Sequence, residues 1–184
     1  FSDSTIGCVG ASPKRLGQRT EEAEHRALFS MVRTMESKFD STPFLEGSCM
    51  MWRREALDVE SLNVRSNADD AQIATAVRLN GLRSIQDPDL KFSDQMPLTG
   101  KGQRRQKVRR AQGLIHLLTR KRKHWFSHRQ GRFAKILRRN AWMHILSPLA
   151  IAAGGAMAIM RNIAYLPETP LTLTLSAIEV YCLV

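Results

Sequence analysis

The feature that most restricts what this chain can fold into is an uncharged apolar run from Ala141 to Met160, entered from a basic segment and closed by Arg161. At a rise of 1.5 Å per residue, about 20 helical residues match a hydrocarbon core about 30 Å thick. Gly154, Gly155 and several alanines supply the small side chains through which membrane helices approach one another. A buried helix of a soluble protein is the competing reading, with His144 and Pro148 in its favour. The basic flank decides for a transmembrane helix over 141–161. Residues 162–184 then read as a loop with Pro167 and Pro170, followed from Leu171 by the start of a second transmembrane helix, with the Leu166 to Pro170 turn on the far side.

Charge divides the rest. Ahead of position 100 there are 12 Lys and Arg against 15 Asp and Glu, and after it 16 against 2, which concentrates the net +11 in one arm. That arm, 101–140, has the composition of basic amphipathic, interfacial helices on the cytoplasmic side of a membrane, where anionic headgroups meet it. Arg120, Lys121, Arg122 and Lys123 resemble a nucleic-acid patch, but aromatic interleaving is sparse and the apolar run follows at once, so no nucleic-acid partner is expected. Trp125, Phe126 and Trp142 read as interface anchors. Cys8, Cys49 and Cys182 form no Cys-x-x-Cys pair and read as reduced thiols, and His124 and His128 lack a third ligand, so no metal site is assigned. The sequence starts at Phe1 and stops within an apolar run at Val184, and is expected to be a fragment cut at both ends.

Before position 100 strands and helices alternate. Thr5 to Ala11 has the β-branched, apolar character of a buried strand. Thr20 is expected to cap a helix reaching Lys38, with Glu21, Glu22 and Glu24 at its positive end and Ala27, Leu28, Met31, Val32 and Met35 as a core face. Ser48 to Arg53 fits a strand, followed by a short helix from Arg54 or Glu55. Asn67 is expected to cap a helix carrying Asp69 and Asp70 in its first turn and ending at Asn80-Gly81. Arg83 to Gln86 and Leu90 to Phe92 read as two short strands around an Asp87-Pro88 turn, and a long basic helix is expected from about Gly102 to Lys123, its apolar side made by Val108, Ala111, Leu114, Ile115, Leu117 and Leu118.

Adjacent acids at a helix start are often no more than dipole-favoured residues. Here they stand in a series. Leu45-Glu46-Gly47-Ser48-Cys49-Met50-Met51-Trp52-Arg53-Arg54-Glu55-Ala56-Leu57 resembles the Phe-x-Cys-Gly-Ser stretch and following Arg-Arg-Glu-Ala-Leu of membrane-bound family 2 glycosyltransferases of the cellulose synthase and hyaluronan synthase type, with Glu46 in place of the Cys. Ala68-Asp69-Asp70 resembles their Thr-Glu-Asp block, and Gln106, Arg109 and Arg110 resemble Gln-x-x-Arg-Trp with Arg110 in place of the Trp. The resemblance covers the chain from Phe1 to the apolar run.

The resemblance implies an α/β fold, a partial GT-A-type glycosyltransferase domain in which 1–100 is the C-terminal, acceptor-side half of the catalytic domain. It implies Asp70 as catalytic base with Asp69 in support, Gly47 and Ser48 as acceptor-binding residues, and Gln106, Arg109 and Arg110 as binders of the donor diphosphate. The activity so implied is inverting transfer of a sugar from a nucleotide-sugar donor to a glycan or lipid acceptor by an enzyme of the cell membrane, multi-pass, with its catalytic part cytoplasmic. A divalent cation, Mg or Mn, is implied for the full-length enzyme, its Asp-x-Asp ligands lying before Phe1, which leaves this fragment inert alone. Without the Trp, polymerisation is not expected. The alternative is a non-enzymatic membrane protein whose polybasic arm binds anionic lipid or nucleic acid.

Overall fold

The computed structural model describes residues 2–13, 21–93 and 100–165. The chain divides into two compact units, 1–140 and 141–184.

The first unit is built on a three-stranded sheet of order β2-β1-β3, with β1 Ile6–Pro13, β2 Met50–Trp52 and β3 Arg83–Phe92. Strand β1 is antiparallel to β2, with Cys8 opposite Trp52, and parallel to β3, with Val9 opposite Ile85. A parallel neighbour requires a crossover, which here runs through α1 (Glu21–Phe39), β2 and α2 (Asp69–Leu79). The core joins Cys8 of β1 to Leu45, Ala56 and Leu57 of the connecting segments and to Ile73, Ala74 and Val77 of α2. Burial pushes the Cys8 thiol up to about 11, so it stays protonated at neutral pH. Helix α3 (Gly100–Arg120) buries Gly113, Leu117 and Leu118, and α4 (Gly131–Ala141) buries Phe133, Ala134, Ile136 and Leu137 beneath an exposed face with Arg132, Lys135, Arg138 and Arg139. Arg78 of α2 holds Asp40 through two bonds of 2.6 and 3.0 Å and lies over the Phe133 ring, 5.2 Å from its centre.

Several expectations are corrected. Leu28, Met31 and Met35 of α1 are 50 to 58 % exposed and so are not core. The helix instead turns a polar side to β3: Gln86 Nε2 donates to Ser30 Oγ at 2.6 Å, Gln86 N–H to Ser37 Oγ at 2.8 Å, and Arg83 to the Ser37 carbonyl. A buried polar strand residue needs polar partners, and that requirement outweighs the apolar periodicity. Residues 83–92 form one strand rather than two; Pro88 falls within a register shift, Ala11 facing Asp87 and Ser12 facing Lys91, where its missing N–H removes no ladder bond. The N-cap of α2 is Ala68, not Asn67. Ala68 is buried beneath Gly113 of α3, a place without room for a solvated capping side chain. In α3, Val108, Ala111 and Ile115 of the expected apolar side are exposed. Thr20, expected to cap α1, lies outside the described residues.

In the second unit, a π-helical turn at Trp142–Leu146 precedes α5 (Ser147–Tyr165). Its cause is local: Pro148 cannot donate to the carbonyl of His144 and crowds it, so the backbone widens there. Among the described residues one helical segment, His128–Ile163, is long and apolar enough to cross a membrane. Leu149, Met157, Met160 and Ile163 on α5 are exposed. The second span expected from Leu171 lies outside the described residues.

Candidate functional site

The site is built around the first turn of α2. Asp70 is half-buried; its Oδ2 accepts from the Gly47 N–H at 3.2 Å and its Oδ1 from the Ala71 N–H at 2.7 Å. The approach of the Gly47 turn is close. A β-carbon on residue 47 would stand 3.1 Å from Asp70 Oδ2 and 3.2 Å from Asp70 Cβ, so any larger residue there must displace the Asp70 side chain by a few tenths of an ångström. Burial raises the Asp70 pKa above the ordinary range, against the Ala71 N–H and Arg33, and the nearby charges of Asp69 and Glu46 add to the rise. The result is a carboxylate more basic than a surface aspartate.

Beside it stands a pair absent from the sequence-derived set. Arg33 Nη1 of α1 is 2.5 Å from Glu46 Oε1, with side chains only 16 % and 12 % exposed. Burial works to raise Glu46, but Arg33, with weaker help from Arg110 and Arg26, holds it below its usual value. In the sequence the two residues carry only separate, local marks. Glu46 occupies the position of the Cys in the motif it resembles, and Ser30, Arg33 and Ser37 mark a polar helix side at helical spacing.

Helix α3 closes the other side, its Gly113 pressed on Ala68 at the start of α2. Arg109 and Asp69 line the same cleft of about 440 Å³ with Asn63 and Gln72, a size suited to a small polar ligand. Gln72 fixes that wall, accepting from the Asn63 N–H at 2.9 Å and donating to the Asn63 carbonyl at 3.2 Å. Of the residues expected from sequence, Asp69 and Arg109 share the cleft, and Asp70 and Gly47 are joined to each other by a hydrogen bond beside it. Asp69 is exposed on the cleft, whereas Arg110 is half-buried and its charge reaches Glu46. Ser48 is exposed in the turn after Gly47, and Gln106 is half-buried one helical turn before Arg110.

Among the described residues no group of three His, Cys, Asp or Glu converges as a metal site. Asp69, Asp70 and Glu46 do not fit a divalent ion: Glu46 is committed to Arg33, and Asp70 to two backbone N–H groups.

The fold is shared with a glycosyltransferase. The chain is similar to the mannosyltransferase PcManGT from Pyrobaculum calidifontis, solved in complex with GDP-mannose and Mn²⁺, with a TM-score of 0.60 and 25 % identity over 98 % of this chain and 52 % of that one. The chain thus spans about half the length of that protein. No family model and no curated protein matches it.

Proposed function

We propose that this chain is the acceptor-side part of a membrane-anchored, inverting family 2 glycosyltransferase. The observation that carries the reading is the half-buried Asp70 carboxylate, gripped by the Gly47 N–H and adjacent in the chain to Asp69, which lines a cleft with Arg109, in a fold shared with a nucleotide-sugar mannosyltransferase. In this reaction an acceptor hydroxyl of a glycan or lipid gives its proton to Asp70. Its oxygen attacks the anomeric carbon of the donor sugar, and the carbon–oxygen bond to the nucleoside diphosphate breaks. A single displacement inverts the anomeric centre. The raised pKa of Asp70 suits a base acting near neutral pH. Arg109, with Gln106 and Arg110, steadies the charge of the departing diphosphate, as guanidinium groups do. Arg110 offers no flat apolar face to a pyranose, so one or a few sugars are added. The solved neighbour binds Mn²⁺, and a divalent cation belongs to this proposal; the described residues have no cluster suited to it.

The helix at 141–161 anchors the enzyme in the cell membrane, the basic arm and catalytic part facing the cytoplasm. Support comes from the length and apolar character of the segment and the excess of Lys and Arg before it. The test is transfer by the full-length protein from GDP-mannose with Mn²⁺ to acceptors in a membrane extract, with the linkage read by proton NMR. An inverted anomer is expected. Retention of configuration overturns the mechanism.

A further inference from the structure

We propose that Arg33 and Glu46 are a positioning pair for Asp70, holding the Gly47 turn that grips the carboxylate from two other elements. The inference rests on the reading of Asp70 as the base, and it gives roles to two residues outside the set of site residues expected from sequence. Glu46 is bound by Arg33 and is followed directly in the chain by Gly47, whose N–H is the donor to Asp70 Oδ2. Pulling residue 46 toward α1 therefore fixes where the residue 47 N–H points. The same pair brackets Asp70 electrostatically, Glu46 opposing its ionisation and Arg33 favouring it. The other charges facing this group are Asp69 on its own helix, Arg110 on α3 and Arg26 on α1, the last two acting on Glu46.

The pair lies beside an acid whose pKa burial raises, and one of its members is the residue that precedes the donor to that acid. The two members pull in opposite directions, and that gives a signature simple destabilisation cannot mimic. Removing Glu46's charge eases ionisation of Asp70; removing Arg33's charge hinders it. Arg33 binds Glu46 through one Nη1, and its Nε is buried with no hydrogen-bond partner. A lysine can then replace the single bond and the charge.

The experiment is a carbon-13 carboxyl NMR titration of the full-length protein labelled at Asp, with the Asp70 signal identified by its loss in Asp70→Asn. Glu46→Gln should lower the Asp70 midpoint and Arg33→Met should raise it, each by about one pH unit. Arg33→Lys should return it close to wild type. Melting curves on the same samples confirm that each variant is folded. If Glu46→Gln and Arg33→Lys both leave the midpoint where Arg33→Met leaves it, or if none of the three moves it, the positioning role is overturned. Transfer rates separate this inference from the reading beneath it. Wild-type transfer by Asp70→Asn removes the base while leaving the titration result standing, whereas an unmoved midpoint with an inactive Asp70→Asn removes only the pair.

Discussion

Gly113 of α3 meets Ala68 at the start of α2 so closely that a β-carbon on residue 113 would lie 2.7 Å from Ala68 Cβ and 3.2 Å from Ala68 N. This contact sets α3, with Arg109 and Arg110, beside the acid pair. Glycine inside a helix costs about 1 kcal/mol relative to alanine, so propensity alone favours Gly113→Ala. The obstructing atoms belong to backbone and to a buried methyl, which cannot swing aside as a flexible side chain can. Overpacking of this kind costs about 1–3 kcal/mol and wins. Gly113→Ala should lower the melting temperature, and Gly113→Val should lower it further and weaken nucleotide-sugar affinity, measured by thermal melts and calorimetric titration of the full-length protein.

Gly47→Ala should separate activity from stability. The contacts it creates, 3.1 and 3.2 Å, are all with the Asp70 side chain, which relieves them by a small rotation. The fold therefore loses little, while Asp70 loses its Gly47 bond and its aim. If Asp70 is the base, a drop of about tenfold or more in kcat with KM for donor nearly unchanged is expected, since misplacement of a catalytic group penalises the transition state above all. Steady-state kinetics on the full-length enzyme checks it.

The extent to which the site is legible in the sequence follows from the range of the forces. Asp69 and Asp70 in a first helical turn and a long basic helix are local patterns, and they stand where the local pattern puts them, while the strand expected over Ser48 to Arg53 shrinks to Met50–Trp52. The inward face of α1 is not local. It is dictated by Gln86 and Arg83, about 50 residues further on, whose buried polar atoms demand Ser30 and Ser37 in place of the leucine and methionine stripe. The Ala68 cap has the same origin, a buried contact with α3 that no reading of residues 66–80 contains. Arg33 and Glu46 escaped for this reason too, being 13 positions apart and meaningful only once paired.

Glu36 makes stability depend on pH. It is buried, with Oε1 accepting from Asn140 Nδ2 at 2.6 Å and Oε2 from Thr42 Oγ1 at 2.8 Å, and burial raises its pKa against those two bonds and the charges of Arg33 and Arg139. A carboxyl raised in the folded state binds more protons folded than unfolded. Its contribution is thus full below the ordinary glutamate pKa and declines as pH rises toward its own raised value. In Glu36→Gln the amide oxygen still accepts from Asn140, while the amide N–H donates to Thr42, whose hydroxyl turns to the Phe44 carbonyl 3.2 Å away. The variant should remain folded and lose that part of the pH dependence, read from melting temperatures above pH 4.

The proposed cytoplasmic side of the basic arm is open to a direct test. A cysteine placed at Arg122, within the basic arm, should resist a membrane-impermeant maleimide in intact cells and react once the cells are opened. Labelling in intact cells places the arm outside and contradicts the cytoplasmic assignment.

The role of Asp70 is tested against that of its neighbour. Both carboxylates stand in the first turn of α2, where a negative charge interacts favourably with the helix dipole by about 0.3–1 kcal/mol, too little for its loss to unfold a domain. They differ in surroundings. Asp69 is exposed on the cleft, whereas Asp70 is half-buried, held by the Gly47 N–H and raised in pKa. If Asp70 is the base, Asp70→Asn in the full-length enzyme should lose about 10²- to 10⁴-fold in transfer rate while keeping its melting temperature within a few degrees and its nucleotide affinity. Asp69→Asn should lose far less. A dipole role alone makes the two variants alike, with small changes in melting temperature and none in rate. Rate, melting temperature and nucleotide affinity measured side by side therefore separate the two, and near wild-type transfer by Asp70→Asn removes the catalytic assignment.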